Sequence, residues 1–182
     1  MITLRPYQTQ LIDLARASFA RGHHAPLVVS PTGSGKTLCF AEICRSAAEH
    51  KNRTLVIVHR LEIMEQTRAK LYDLGVSAGM IAPGRPPTAE MVQVAMIQTL
   101  VRRLSTVRRP DLIVLDEAHH CVSQNSHGRA LAYWREVPRL GFTATPSRAD
   151  GVGLHEMFDD LIIGPTVAEL VKGGFQIGRA HV

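Results

Sequence analysis

Short apolar runs alternate along this chain with longer amphipathic stretches, the pattern of a parallel sheet whose strands are joined by helices. Pro6, suited to a first helical position, opens a predicted helix through Ala20, with Tyr7, Leu11, Leu14, Ala15 and Phe19 on one face. Leu27–Val29 reads as a buried strand, followed by a Pro/Gly turn and a helix over Lys36–His50. Thr54–Val58 is the next strand and Leu61–Leu74 the next helix, closed by Gly75. Ser77–Ile81 is a weaker strand, and three prolines make 83–87 a loop because they remove ladder donors. Strands follow at Val92–Ala95, Leu112–Leu115 and Leu140–Thr143, with a helix expected over Ile97–Leu104. Strands apolar on both faces imply helices on both sides of the sheet, a three-layer α/β/α fold.

The 182 residues suit a single hydrophobic core. A formal net charge of +5 is compatible with a polyanionic partner without requiring one. Cys39, Cys44 and Cys121 show no paired spacing, which argues against a disulfide framework or a zinc site and for a reducing compartment. No apolar run approaches a membrane span and no signal peptide precedes the first helix, so a cytoplasmic protein is expected.

Between a predicted strand and a predicted helix lies Ser30-Pro31-Thr32-Gly33-Ser34-Gly35-Lys36-Thr37. Gly33 and Gly35 let the backbone aim N–H groups at phosphate oxygens, and the helix N-terminus adds partial positive charge. Lys36 can reach the β- and γ-phosphates while the Thr37 hydroxyl ligates Mg²⁺. Ser30 stands where the strict pattern has glycine, and a Gly/Ser turn before Lys-Thr is the plainer alternative. Further on, the Leu112–Leu115 strand runs into Asp116-Glu117-Ala118-His119. At a strand's C-terminal end, Asp116 can hold Mg²⁺ through water and Glu117 can orient and deprotonate an attacking water. A solvated acidic pair opening a helix is the competing reading, weakened by the phosphate loop upstream.

SPTGSGKT, the DEAH run at 116–119 and Thr143-Ala144-Thr145 together resemble motifs I, II and III of superfamily-2 helicases, in the subgroup of type III restriction-enzyme motor subunits and bacterial DEAH-box repair helicases. The resemblance covers the chain to about Phe175 and implies a RecA-like P-loop domain using ATP and Mg²⁺. It makes Leu4-Arg5-Pro6-Tyr7-Gln8 similar to an adenine-reading motif, with Gln8 on the base edge and Arg5 stacked on it. Thr32, Gly33, Ser34, Gly35, Lys36 and Thr37 become ATP ligands, with Lys36, Asp116 and Glu117 the catalytic set. His119, Thr143 and Thr145 become coupling residues between nucleotide and nucleic acid. Arg60 and Gln66 fall in a segment resembling motif Ia, and Gln98 and Thr99 lie near motif Ib. All four would touch phosphate oxygens without reading sequence.

The subgroup favours DNA over RNA, with nuclease, restriction or repair partners. Arg102, Arg103, Arg108 and Arg109 read as either a solvated connector or a basic patch. The expected layout is one ATP-binding domain over residues 1–175, whose stretch from Gly151 resembles the exit toward a second RecA-like domain. That second domain is absent from this sequence and would carry the arginine fingers, so the chain is expected to bind ATP and hydrolyse it poorly. Ile177–Val182 also translates ATC GGA AGA GCA CAC GTC, which resembles a common sequencing adapter. An artefactual tail over 176–182 is therefore expected; a genuine short tail, or a split protein with a partner chain, is the alternative. A P-loop phosphotransferase and a non-catalytic nucleotide sensor are the rival functions. The first leaves the DEAH run unexplained, and the second leaves the intact Lys36, Thr37, Asp116 and Glu117 unexplained.

Overall fold

The structure, a computed structural model, describes residues 3–122, 124–145 and 154–175. Its elements run α1 Pro6–Ala20, β1 Pro26–Val29, α2 Lys36–Glu49, β2 Thr54–Val58, α3 Leu61–Asp73, β3 Ala78–Ile81 and β4 Val92–Met96. They continue with α4 Ile97–Leu100, β5 Leu112–Leu115, α5 Ser126–Tyr133, β6 Arg139–Thr143, β7 Asp160–Ile163 and α6 Val167–Lys172. Seven strands form one sheet in the order β3-β4-β2-β5-β6-β1-β7, and every pairing is parallel.

Alternate side chains of each strand feed two separate cores. Val28, Val56, Val94, Val114 and Phe142 pack with α1, α2 and α3 on one face. Leu27, Leu55, Ile57, Ile113 and Leu115 pack with α4 and α5 on the other. The expected three-layer α/β/α architecture is what forms. Parallel crossovers bring all strand C-termini to one rim, and β1 neighbours β6 and β7 rather than β2. The chain therefore reverses its direction of travel across the sheet near β1, the position where open α/β sheets leave a crevice.

Four local expectations change. Leu14 is 39% exposed, and Ile12 takes its place in the core, so the buried face of α1 is Tyr7, Leu11, Ile12 and Ala15. The helix expected over Ile97–Leu104 ends at Leu100 and resumes as a single 3-10 turn at Leu104–Thr106. There the Thr106 hydroxyl donates to the Arg103 carbonyl at 2.9 Å, competing with a helical bond. The Arg103 guanidinium is drawn off to the Arg85 carbonyl at 2.9 Å, so this arginine braces the 82–85 turn. Helices α5 and α6 and strand β7, absent from the pattern reading, are also present. The tail Ile177–Val182 lies outside the described residues.

Candidate nucleotide site

Three segments meet at the strand C-termini: the loop between β1 and α2, the residues after β5, and the start of α1. Together they wall a cleft of about 640 Å³ lined by Arg5, Gln8, Thr32–Thr37, Asp116 and Glu117. The sequence assigned all of these to one site, and the fold brings them together.

The loop is held in shape by backbone conformation and by Ser34. Gly33 and Gly35 have φ of +79° and +83°, left-handed values that cost other residues energy. A Cβ on Gly35 would also collide with the Gln8 amide. The Ser34 hydroxyl accepts from Ser30 Oγ at 2.8 Å. The Ser34 carbonyl accepts from Tyr7 Oη at 2.7 Å and Gln8 Nε2 at 3.0 Å. Gln8 Oε1 in turn accepts from the Arg5 backbone N–H at 2.9 Å. Each end of the Gln8 amide therefore keeps one free hydrogen-bonding position, a donor and an acceptor matching adenine N7 and the N6 amino group. Tyr7, which pattern reading gave only a core role, is part of this brace.

Lys36 is 9% exposed, and its Nζ donates to the carbonyls of Ser30 at 3.2 Å and Pro31 at 3.4 Å. Burial lowers its pKa, while Glu117 and Asp116 pull the other way. Asp116 is 7% exposed, and burial lifts its carboxyl to about 6, with the Glu117 charge adding to the rise. Its Oδ1 accepts from the Glu117 N–H at 3.0 Å. Glu117 itself sits at φ +49°, a strained conformation for a residue with a side chain, and such strain concentrates at functional sites. The Thr37 hydroxyl and the Asp116 carboxylate are hard oxygen donors on the cleft wall, a donor set that suits Mg²⁺. Asp116, short of neutralising charge, is the group a divalent cation would most stabilise.

His119 links this cleft to the turn after β6. Its Nδ1 lies 3.0 Å from Thr143 Oγ1 and 3.2 Å from Glu117 Oε2. The Thr143 hydroxyl spends its hydrogen on the Thr145 carbonyl at 3.0 Å and accepts the Thr145 N–H at 3.2 Å. His119 Nδ1 therefore stands within hydrogen-bonding distance of both Thr143 and Glu117. The Ser30 N–H donates to the Thr143 carbonyl at 2.9 Å, tying the same turn to the phosphate loop. His120 stacks near His59 and His119, at 4.7 and 4.1 Å between ring centroids, and Cys121 lies buried in the apolar core.

The four residues expected at nucleic acid separate. Arg60 and Gln98 are exposed beyond the paired ends Val58 and Met96 of β2 and β4, and Gln98 reaches the His59 carbonyl at 3.5 Å. Thr99 is buried and offers the least surface. Gln66 lines the same cleft as Arg5 and Lys36, with Ile63 and Lys70, on one face of α3. The 63, 66, 70 spacing puts the three on one helical face, though not on which side of the domain that face lies. Among the described residues no helix is long and apolar enough to cross a membrane.

Residues 1–148 match the model of the family described as "Type III restriction enzyme, res subunit". The putative ATP-dependent helicase IRC3 of Saccharomyces cerevisiae is 32% identical over 186 residues, covering 92% of this chain and 27% of the yeast protein. The DNA 3'-5' translocase XPB2 of Sulfurisphaera tokodaii is 29% identical over 167 residues, covering 91% and 35%. Among solved structures, the UvsW helicase of bacteriophage T4 superposes with a TM-score of 0.73 at 18% identity, over 89% of this chain and 60% of that one. The chain thus spans about a quarter to a third of the length of the curated relatives it matches.

Proposed function

Since the chain belongs to the type III restriction enzyme res-subunit family, and with it to the superfamily-2 helicase ATPases, we propose that it is the RecA-like domain that binds ATP·Mg²⁺ in a DNA-dependent helicase or translocase. One observation carries the reading: the base-reading amide, phosphate loop and paired carboxylates all line a single cleft. The name of the Sulfurisphaera relative, a DNA translocase, supports DNA over RNA.

On this reading Gln8 takes the adenine edge and the N–H groups of 33–37 take phosphate oxygens. Lys36 exchanges the Ser30 and Pro31 carbonyls for the β- and γ-phosphates. Thr37 and, through water, Asp116 would hold Mg²⁺, which would supply charge neutralisation at the phosphates. Glu117 accepts the proton of the water that attacks the γ-phosphorus, and ADP leaves as the β–γ bond breaks. Arg60 and Gln98, exposed on the same rim, are suited to a nucleic-acid backbone.

Arg5 is the one arginine lining the cleft among the described residues, and it stands at the base end beside Gln8. A finger arginine at the γ-phosphate is worth roughly 10³–10⁵ in rate in related ATPases. The 182-residue chain is therefore proposed to bind ATP and turn it over slowly, with residues 1–175 as the domain. Calorimetric titration with ATP and Mg²⁺ tests the core of the reading. Lys36→Ala should weaken binding by about 100-fold or more, as expected for a charge-assisted phosphate contact. Equal binding by that variant would sink the site. Hydrolysis by the chain joined to a second RecA-like domain, with single-stranded DNA, duplex DNA, RNA or none, tests the rest. Indifference to all nucleic acids would point to a phosphotransferase instead, and stimulation by RNA alone would remove the DNA assignment.

A further inference from the structure

Helix α6 is only six residues long, yet both of its ends are fully specified. At its N-terminus the Thr166 hydroxyl accepts from the Glu169 N–H at 3.2 Å, and Glu169 Oε2 accepts from the Thr166 N–H at 2.7 Å. At its C-terminus Gly174 adopts φ +76°, Gly174 N–H donates to the Val171 carbonyl and Phe175 N–H donates to the Leu170 carbonyl. This is a Schellman ending, with Phe175 at the position whose side chain folds back over the last turn. Leu170, 2% exposed, anchors the helix in the core beneath α1. A short helix gains little from its own hydrogen bonds, so such complete capping mainly fixes the direction in which the chain leaves it.

That exit direction places the Phe175 ring. The ring lies 5.3 Å from the Arg5 guanidinium carbon, within cation–π range, and meets the Tyr7 ring edge-on at 5.2 Å. Arg5 lines the nucleotide cleft, whereas Phe175 does not. The Arg5 guanidinium thus stands between the cleft and a ring that lies outside it. A Cβ on Gly173 would lie 3.1 Å from the ring, a tight contact.

We infer that Phe175 is a positioning residue for the nucleobase: it holds the Arg5 guanidinium as a platform on which the adenine ring stacks. The inference rests on the proposed ATP reading and adds a residue about 170 positions from Arg5 to the base-binding end. A free arginine has many rotamers, and ordering it on binding opposes affinity; a ring already packed against it removes much of that opposition. The Gln8 amide is held by the Ser34 carbonyl and the Arg5 backbone N–H rather than by the Phe175 ring, so choice of base belongs to Gln8 and strength of stacking to the Arg5–Phe175 pair.

The test compares the affinities of ATP and inorganic tripolyphosphate for the full chain, both with Mg²⁺, because only ATP carries a base. Phe175→Leu keeps an apolar contact for Leu170 but removes the π face. ATP affinity should fall about three- to ten-fold with tripolyphosphate unchanged. Phe175→Tyr should restore ATP binding. Wild-type ATP affinity in Phe175→Leu, or equal loss for both ligands, would overturn the positioning role. If the unaltered chain binds ATP no better than tripolyphosphate, the base site itself fails and the inference with it.

Discussion

Asp116→Asn should make the ligand-free protein more stable, not less. The carboxyl is 7% exposed, and burial lifts its pKa from 3.8 to about 6. A carboxyl with a folded pKa above its unfolded value contributes most stability below the unfolded pKa and loses that contribution as pH rises through the folded one. At pH 7.5 the whole difference is expressed, about 3 kcal/mol against the folded state. By pH 5 the unfolded chain remains ionised but the folded carboxyl is mostly protonated, and linkage leaves about half of that. Asparagine keeps an acceptor for the Glu117 N–H and sheds the charge, but it also removes a favourable partner of the buried Lys36. The net expectation is a gain of about 1–3 kcal/mol at pH 7.5, or about 2–10 °C in Tm for a domain of this size. Thermal melts of both proteins at pH 7.5 and pH 5, without nucleotide or Mg²⁺, measure it. The gap should shrink at the lower pH, and Mg²⁺·ATP should stabilise only the aspartate form strongly. A variant that melts lower at pH 7.5, or a gap that widens toward pH 5, would refute the idea that burial leaves this carboxylate short of a partner.

Two further substitutions probe the loop and its link to β6. Gly35→Ala meets both a left-handed φ of +83° and the Gln8 amide, so it should cost roughly 1–2 kcal/mol and displace Gln8 from Ser34. Denaturant melts and ATP titration check this; unchanged ATP affinity would show that loop and base reader are not braced together. Thr143→Val removes the hydroxyl that meets His119 Nδ1 and the Thr145 carbonyl at a fully buried position, at a cost of about 1 kcal/mol in stability. In the chain joined to a second RecA-like domain, ATP affinity should hold while nucleic-acid stimulation of hydrolysis falls roughly ten-fold, as for one lost hydrogen bond in the coupled state. Full stimulation would remove Thr143 from the coupling path.

Where burial on both faces wrote itself into the sequence, the fold was legible. Val56 and Ile57 serve opposite cores, so β2 is apolar without a break, and the same holds for β5. β7 escaped because it offers three apolar residues behind an Asp pair and sits at the sheet edge, where Leu161 and Ile163 stay exposed. α5 escaped because Gly128 interrupts its first turn, although Asn125 caps it by accepting from His127 and Gly128. The site was legible in its phosphate loop and carboxylates, whose spacing is local. The Phe175–Arg5 contact was not, because no local rule joins two positions brought together by β7 and α6. Gln66 lies between these cases: its helical phase with Ile63 and Lys70 was readable, but which side α3 would present was not.

The phosphate loop is tied at two residues to two different parts of the fold. Ser34 is tied through its carbonyl to Tyr7 and Gln8, and Ser30 through its N–H to the turn that holds Thr143, Thr145 and His119. Lys36 sits between them, spending its donors on the Ser30 and Pro31 carbonyls. On the proposed reading, phosphates compete for that ammonium, and their arrival frees two carbonyls of the loop's first residues. The N–H of one of those residues already holds β6. A ligand shifts a conformational equilibrium only through contacts that differ between the two states. The Lys36 exchange is such a difference, and His119, in reach of both Glu117 and Thr143, is positioned to carry it between them. The base end, braced by Phe175, makes no such exchange. On that reading base stacking and coupling rest on separate residues, and Phe175→Leu and Thr143→Val should weaken one without the other.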